Sequence, residues 1–266
     1  MSPFAPSDLS LLARVDVILT DVDDTLTHKG RLSARTLDAM ARLARAGVRV
    51  VPVTGGCAGW CDHIVRAWPV AAVIGESGAF RFRLKEGGVL ERHFVRPLDE
   101  LRADQRRLLE IARQALEKVP AARMAADQDY RLVDVAVDHA QDIAALAPDR
   151  VQAIIDVFGQ AGARARASSI HVNAWFGDHD KASMAGHVLA DDFGMSPQER
   201  AERVLFIGDA PNDETLFGAC TLSFGVANIG PHLGALAHKP RWVCRESYGD
   251  GFAEMAGHVL AARAAA

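Results

Sequence analysis

Asp21 and Asp23 stand two residues apart in the run Asp21-Val22-Asp23-Asp24-Thr25, directly after the apolar segment Val17-Ile18-Leu19-Thr20. Side chains alternate along an extended segment, so both carboxylates can face the same side. Carboxylates that close repel each other. A hard divalent cation relieves that repulsion and leaves coordination positions for phosphate oxygens. Asp209, in Gly208-Asp209-Ala210-Pro211-Asn212-Asp213, can supply a third oxygen. An oxygen set joined by no His or Cys suits Mg2+ better than a transition metal. Thr54-Gly55-Gly56 adds a hydroxyl and backbone N–H groups that a ligand can approach closely, with the N-terminus of the following helix behind them. Lys181 is notable because lysine is scarce. Only Lys29, Lys85, Lys118, Lys181 and Lys239 occur among 30 basic residues, and Lys181 opens a helix, where a cation opposes the dipole. A pocket of carboxylates around a phosphate would justify it. Taken singly, each of these clusters reads as a turn or a solvated side chain.

The elements that must position them follow from patterning. Val17–Thr20 is a short buried strand, and Ser33 caps a helix whose stripe includes Leu37, Met40 and Ala44, stopped by Gly47. Val48–Val53 is a second buried strand that ends at Thr54, a helix runs through Trp60, Ile64 and Trp68, and Ala71–Ile74 is a third strand. Strand alternating with helix predicts a parallel sheet covered by helices. The pattern changes after Gly78: a hairpin around Lys85-Glu86-Gly87-Gly88, a helix over 98–119, a strand over 130–138, a helix from Pro148 and a strand over 163–173. From Asp180 the first pattern resumes, with a buried strand at Val204–Ile207 and short strands at 222–226 and 241–244. The fold class is therefore α/β, a Rossmann-like parallel-sheet core of residues 1–78 and 174–266 interrupted by an inserted α+β cap of residues 79–173. The three polar clusters all follow core strands. Ligands of open α/β sheets bind in the crevice outside those carboxyl ends.

The remaining composition narrows the class. The chain has 266 residues, 49% hydrophobic and 24% charged, enough to bury a core without disulfides or a structural metal. A net charge of −4 provides no footprint for nucleic acid and no polybasic anchor for a membrane surface. The first twenty residues, broken by Arg14 and Asp16, fit neither a signal peptide nor a spanning helix. Cys57, Cys61, Cys220 and Cys244 form no C-x-x-C pair and read as reduced packing residues. A cytoplasmic protein is the expectation, and a homo-oligomer is compatible with it.

Taken together, the motifs resemble those of the haloacid dehalogenase superfamily of phosphatases. Asp21-Val22-Asp23-Asp24-Thr25 looks like its D-x-D-x-T nucleophile motif. Thr54 is similar in position to its second motif, Lys181 to its third, and Gly208-Asp209 through Asn212-Asp213 to its fourth, G-D-x-x-N-D. The 127 residues from Thr54 to Lys181 resemble the α/β cap of the subgroup with sucrose-phosphate, trehalose-phosphate and mannosyl-phosphoglycerate phosphatases and phosphomannomutases. Ser77 stands where many of these have asparagine, and Gly56 where an arginine often follows the second motif.

The resemblance implies that Asp21 attacks phosphorus and that Asp23 serves as acid and then base. It implies Mg2+ on the Asp21 carboxylate, the Asp23 carbonyl and Asp209, with Asn212 and Asp213 in support. Thr54, Gly55 and Lys181 would bind the phosphoryl oxygens. The implied reaction is Mg2+-dependent hydrolysis of a small phosphorylated metabolite, a sugar or glyceryl phosphate. The alternatives are a phosphomutase and a non-catalytic binding protein. His139, His171, Asn173, Asp178 and His179 lie in or beside the cap as weaker substrate candidates. Arg131, Asp134 and Asp138 read as the wet face of a strand, and Trp60 and Trp175 as core packing.

Overall fold

A computed structural model describes residues 4–266. After a helical turn, α1 (Leu9–Leu12), the chain enters β1 (Val17–Thr20), passes a two-stranded flap of β2 (Thr27–His28) and β3 (Arg31–Leu32), and forms α2 (Ala34–Arg45). The Ser33 hydroxyl accepts from Thr36 N and caps α2 as expected, but its buried face is Thr36, Ala39, Met40 and Leu43, while Leu37 is 40% exposed. Then come β4 (Arg49–Pro52), α3 (Ala58–Ala67) and β5 (Val73–Gly75). The inserted region holds β6 (Phe80–Leu84), β7 (Leu90–Phe94), α4 (Leu98–Lys118), β8 (Arg123–Met124), β9 (Val135–Asp138), α5 (Pro148–Gln160), β10 (Arg164–Ala167) and β11 (His171–Trp175). The chain closes with α6 (Lys181–His187), a π-helical turn at Val188–Asp192, α7 (Pro197–Arg203), β12 (Val204–Gly208), α8 (Glu214–Ala219), β13 (Leu222–Gly225), β14 (Trp242–Val243) and α9 (Tyr248–Ala264).

The core sheet is parallel, in the order β14-β13-β12-β1-β4. Its central strands are buried on both faces, which is why they read as continuous apolar runs. Successive side chains diverge to two apolar layers. Ile18 and Val50 pack with Met40, Leu43, Ile64 and Phe252 on one side, whereas Val17, Leu19 and Val51 pack with Met184, Val188 and Phe217 on the other. Register then sets the site: Thr20 pairs with Ile207 of β12 and with Pro52 of β4. Asp21, Gly208-Asp209 and Thr54 thus emerge along one edge.

The inserted region divides differently from the sequence expectation. The β6–β7 hairpin extends β5 into a three-stranded antiparallel sheet, and Phe80 and Phe82 pack with Cys61 and Ile64 in the core layer. Their alternation matched a hairpin, but nothing local reveals which partner covers it. A separate four-stranded sheet, β10-β11-β9-β8, forms the cap proper and includes Trp175. Val135, Val137, Val172 and Ala174 pack on α4 and α5 through Leu108, Ala112, Ile154 and Phe158. The opposite face carries Asp134, Asp138, His171 and Asn173, all buried. The strand predicted over 130–138 is regular only from Val135. No helix among the described residues is long and apolar enough to cross a membrane.

Candidate active site

Asp21 extends the sheet by one bond, its N–H donating to Ile207 O at 2.9 Å, so its carboxyl leaves β1 in a fixed direction. Lys181, the first residue of α6, is brought to it by Asp180, whose side chain caps that helix. Lys181 Nζ donates to Asp21 Oδ1 at 2.6 Å and to Asp213 Oδ1 at 2.7 Å. Asp213 Oδ2 in turn accepts from the N–H groups of Asp209 and Ala210 at 3.1 and 3.3 Å. That turn requires Gly208, since a Cβ there would stand 2.4 Å from Asp213 Oδ2. Asp209 is oriented from two sides: Thr25 Oγ1 donates to Oδ1 at 3.0 Å and Asn228 Nδ2 to Oδ2 at 3.2 Å.

The electrostatics are unbalanced. Asp21, Asp209 and Asp213 can each place a carboxylate oxygen within 4.8 Å of the others, and all three are buried around one ammonium. Burial, and then the charge of Asp213, push the Asp21 carboxyl well above its ordinary range; burial, and then Asp21, do the same to Asp209. Burial alone would lower Lys181, but Asp21 and Asp213 overcome it and hold the ammonium charged. Excess buried negative charge on oxygen donors fits a hard divalent cation. Asp23 lies beside this group on the cavity wall, its carboxyl pushed up to about 6 by burial and by Asp24. That value suits a group that must give and take a proton near neutrality.

A cavity of about 470 Å3 opens above these residues, with Asp21, Asp23, Gly55, Asp209 and Asn212 on its floor and cap side chains on its roof. Thr54 and Lys181 lie behind that floor. Thr54 is fully buried, its Oγ1 accepting from Gly56 N at 2.8 Å, which bends the loop so that Gly55 faces the cavity. Core and cap meet at this loop: Arg131 Nη1 and Asn173 Nδ2 donate to Gly55 O at 2.9 and 3.0 Å. Asp134 accepts from both Arg131 and Asn173, and Asp127 accepts from Arg131 Nε and Nη2. Arg131 and Asp134, read as a wet strand face, instead form a buried clasp over the site, whereas Asp138, also buried, accepts from the N–H groups of Ala140, Gln141 and Asp142 in the turn that follows it.

Glu76 secures that clasp from below. Its two oxygens accept four backbone N–H groups, Ala58 and Leu132 on Oε1 and Val133 and Asp134 on Oε2, at 2.7–3.0 Å. Burial and nearby Asp134 push this carboxyl upward, and the N–H donors oppose them. Glu76, Thr25, Asn228 and the Asp127–Arg131 pair are the contributors that motif reading does not assign. Only Thr25 carried a signal, as the last residue of D-x-D-x-T. Trp60 lies on the cavity rim, whereas Trp175 donates from Nε1 to His179 O outside that cavity. His139 bonds Ser168 O, and Asp178 pairs with Arg164 at the surface.

A parallel α/β sheet that presents acidic residues beyond its carboxyl ends, roofed by an inserted α+β region, defines a capped fold of the Rossmann-like class. No protein-family model matches the chain. It is 27% identical over 247 residues to a phosphoglycolate phosphatase from Methanoculleus marisnigri, covering 89% of this chain and 93% of that protein. It superposes with a TM-score of 0.71 on a Thermoplasma acidophilum structure, 18% identical, covering 92% of this chain and 98% of that one. The sucrose-phosphatase of Synechocystis sp. PCC6803, determined with sucrose and phosphate, gives 0.65 at 16% identity over 92% and 98%. A phosphatase of the haloalkanoate (HAD) superfamily from Bacteroides thetaiotaomicron gives 0.60 at 16% identity over 97% and 99%. The chain shares the fold of these structures, and Asp21, Lys181, Asp209 and Asp213 of the motif positions meet beyond one edge of its sheet.

Proposed function

We propose that this chain is a Mg2+-dependent phosphatase that hydrolyses a small phosphorylated metabolite, a sugar or glyceryl phosphate, through an aspartyl-phosphate at Asp21. The observation that carries the reading is the bond from Lys181 Nζ to Asp21 Oδ1 inside a buried acidic group. It neutralises one oxygen and leaves Oδ2 as the attacking atom on the cavity floor. Oδ2 attacks phosphorus in line and the ester oxygen departs. Asp23 protonates that oxygen and then takes a proton from the water that hydrolyses the acyl phosphate. Gly55 N–H, the Thr54 hydroxyl and Lys181 bind the phosphoryl oxygens.

Asp21, the Asp23 carbonyl and Asp209 would hold Mg2+, with Asn212 and Asp213 in support. When bound, the ion neutralises charge on the phosphoryl group. Asp213 suits a supporting position because its oxygens already serve Lys181 and two backbone N–H groups. The core holds the chemistry in this reading, and the cap selects the organic part of the substrate. The relatives named as phosphatases support it.

The test is phosphate release from phosphorylated sugars, glycerates and nucleotides with Mg2+, with acid quench and mass spectrometry for phosphoryl-Asp21. Mg2+-dependent release confined to one class, with label on Asp21, is the expected result. Transfer that needs a bisphosphate activator would place the chain with the mutases. No turnover of any compound would leave a binding protein.

A further inference from the structure

The loop that follows β13 sends one side chain toward the acidic group, and both its nitrogen hydrogens and its carbonyl are used there. Asn228 stands just beyond β13 in a short helical turn. Its Nδ2 donates to Asp209 Oδ2 at 3.2 Å and to Asp24 O at 3.0 Å, and its Oδ1 accepts from Tyr248 N at 2.9 Å. A primary amide carries two donors on one atom beside an acceptor, so one side chain can join three segments.

Two of those partners lie in unfavourable backbone. Among the described residues, five non-glycine positions have a positive φ, and Asp24 (φ 60°) and Tyr248 (φ 56°) are two of them. A residue with a Cβ adopts that conformation only where its surroundings impose it. Around Asp24 the chain turns tightly, and the N–H groups of Thr25, Leu26 and Thr27 all donate to Val22 O, at 3.3, 2.9 and 3.0 Å. The bond from Asn228 to Asp24 O therefore holds the residue next to Asp23. Tyr248 opens α9, whose Gly249 is pressed against the same turn: a Cβ there would lie 2.7 Å from Leu26 O and 2.1 Å from Thr36 Oγ1. Thr25 provides a contrast. Its Oγ1 donates to Asp209 Oδ1 at 3.0 Å and so orients the same carboxylate from the other side.

Resting on the phosphatase reading, we infer that Asn228 is a positioning residue with two effects: it aims the Asp209 carboxylate for the divalent cation, and it holds Asp23 where it meets the ester oxygen. A ligating carboxylate is oriented by the hydrogen bonds it accepts, and loss of such a partner costs about 10- to 100-fold in metal affinity or activity. The second effect follows from the left-handed turn. Without the bond from Asn228, Asp24 relaxes toward negative φ, the region open to residues with a Cβ, and the Asp23 carboxyl swings with it. Misplacing a proton donor weighs most where the departing oxygen needs the proton. One side chain thereby ties metal binding to acid–base geometry.

Three measurements on the full chain test this. In calorimetric titration with Mg2+, Asn228→Ala should raise Kd by about 10-fold or more. In turnover at saturating Mg2+, Asn228→Ala should lower kcat for glycerol phosphate about 10-fold more than kcat for para-nitrophenyl phosphate. Thr25→Val, which leaves the bond to Asp24 in place, should lower the two equally. In the unmodified chain, Mg2+ at a hundred times Kd should slow deuterium exchange at the Tyr248 amide about 10-fold or more, beyond any change at the amides of α5. An unchanged Kd in Asn228→Ala, or unchanged exchange at Tyr248, overturns the link to the metal. An equal fall for both esters in Asn228→Ala, or the same split in Thr25→Val, overturns the link to Asp23. No release from either ester by the unmodified chain overturns the phosphatase reading and with it the link to Asp23, while calorimetry and exchange still decide the link to the metal. Should Asn228→Ala not fold, exchange at Tyr248 decides the metal link, and Asn228→Asp, which keeps the bond to Tyr248 and loses both donors, takes its place in the turnover test.

Discussion

Gly55 and Asn173, 118 residues apart in sequence, touch across the seam between core and cap. Asn173 Nδ2 lies 3.0 Å from Gly55 O, and a Cβ on Gly55 would stand 2.9 Å from Asn173 Oδ1. Gly55→Ala should push Asn173 off its bond to Asp134 and shift the loop that faces the phosphoryl group. A displacement of that size costs about 10²-fold in kcat/KM. Asn173→Ser, which gives the methyl room, should recover part of that loss in the double variant. Full activity in Gly55→Ala would show that the seam yields without cost.

Asp21→Asn keeps the shape and removes the attacking charge, so turnover should fall on the order of 10⁴-fold or more. The fold should persist with an equal or higher Tm, because one of the mutually repelling buried carboxylates is gone. Retention of more than a few per cent of activity would remove the covalent step.

Asp23→Asn should lose about 10²- to 10⁴-fold on alkyl phosphates, where the departing oxygen needs a proton. The loss should be smallest on aryl phosphates. An equal loss on both classes would take Asp23 out of acid–base work.

Mg2+ should raise Tm, since an ion that binds the folded acidic group stabilises it by about 2.7 kcal/mol at a hundred times Kd. Asp209→Asn should abolish most of that increase, which differential scanning fluorimetry with and without EDTA would measure. An identical increase in the variant would move the ion away from Asp209.

Glu76→Gln replaces an oxygen that accepts two N–H groups with an amide that presents hydrogens to them. The variant should lose about 2–4 kcal/mol in denaturant unfolding, from orphaned buried donors and the lost charge. Activity should fall with it, since residues 132–134 would no longer hold Arg131 and Asp134 in place. Unchanged unfolding would show that other partners satisfy those N–H groups.

Much of the acidic sheet edge was legible because its determinants are local. Val17–Thr20 and Val204–Ile207 are apolar enough to be read as buried strands, and the acidic runs follow them closely. Parallel register then brings Asp21 and Asp209 together without further information. The parts that escaped depend on distant partners. Phe80 and Phe82 alternate as any hairpin does, and only the apolar face of α3 assigns them to the core. Asp134 and Asn173 have the polarity of solvent-facing strand positions, and burial follows only when the cap sheet lies over Gly55. Asn228 and Glu76 sit in no motif; their partners are peptide groups and one carboxylate that the fold alone supplies.

The four bonds to Glu76 also bear on modular exchange between relatives. A cap grafted at the strand boundaries would arrive with its own 131–134 segment but meet a foreign carboxylate, or none, beneath it. The transferable unit is therefore discontinuous. It comprises the cap sheet with its two helices, residue 76 on the core side, and a glycine at position 55 to receive the seam. Chimeras that carry all three should keep the donor's substrate choice on the acceptor's chemistry, whereas those that move the cap alone should fold with a loosened roof and little discrimination.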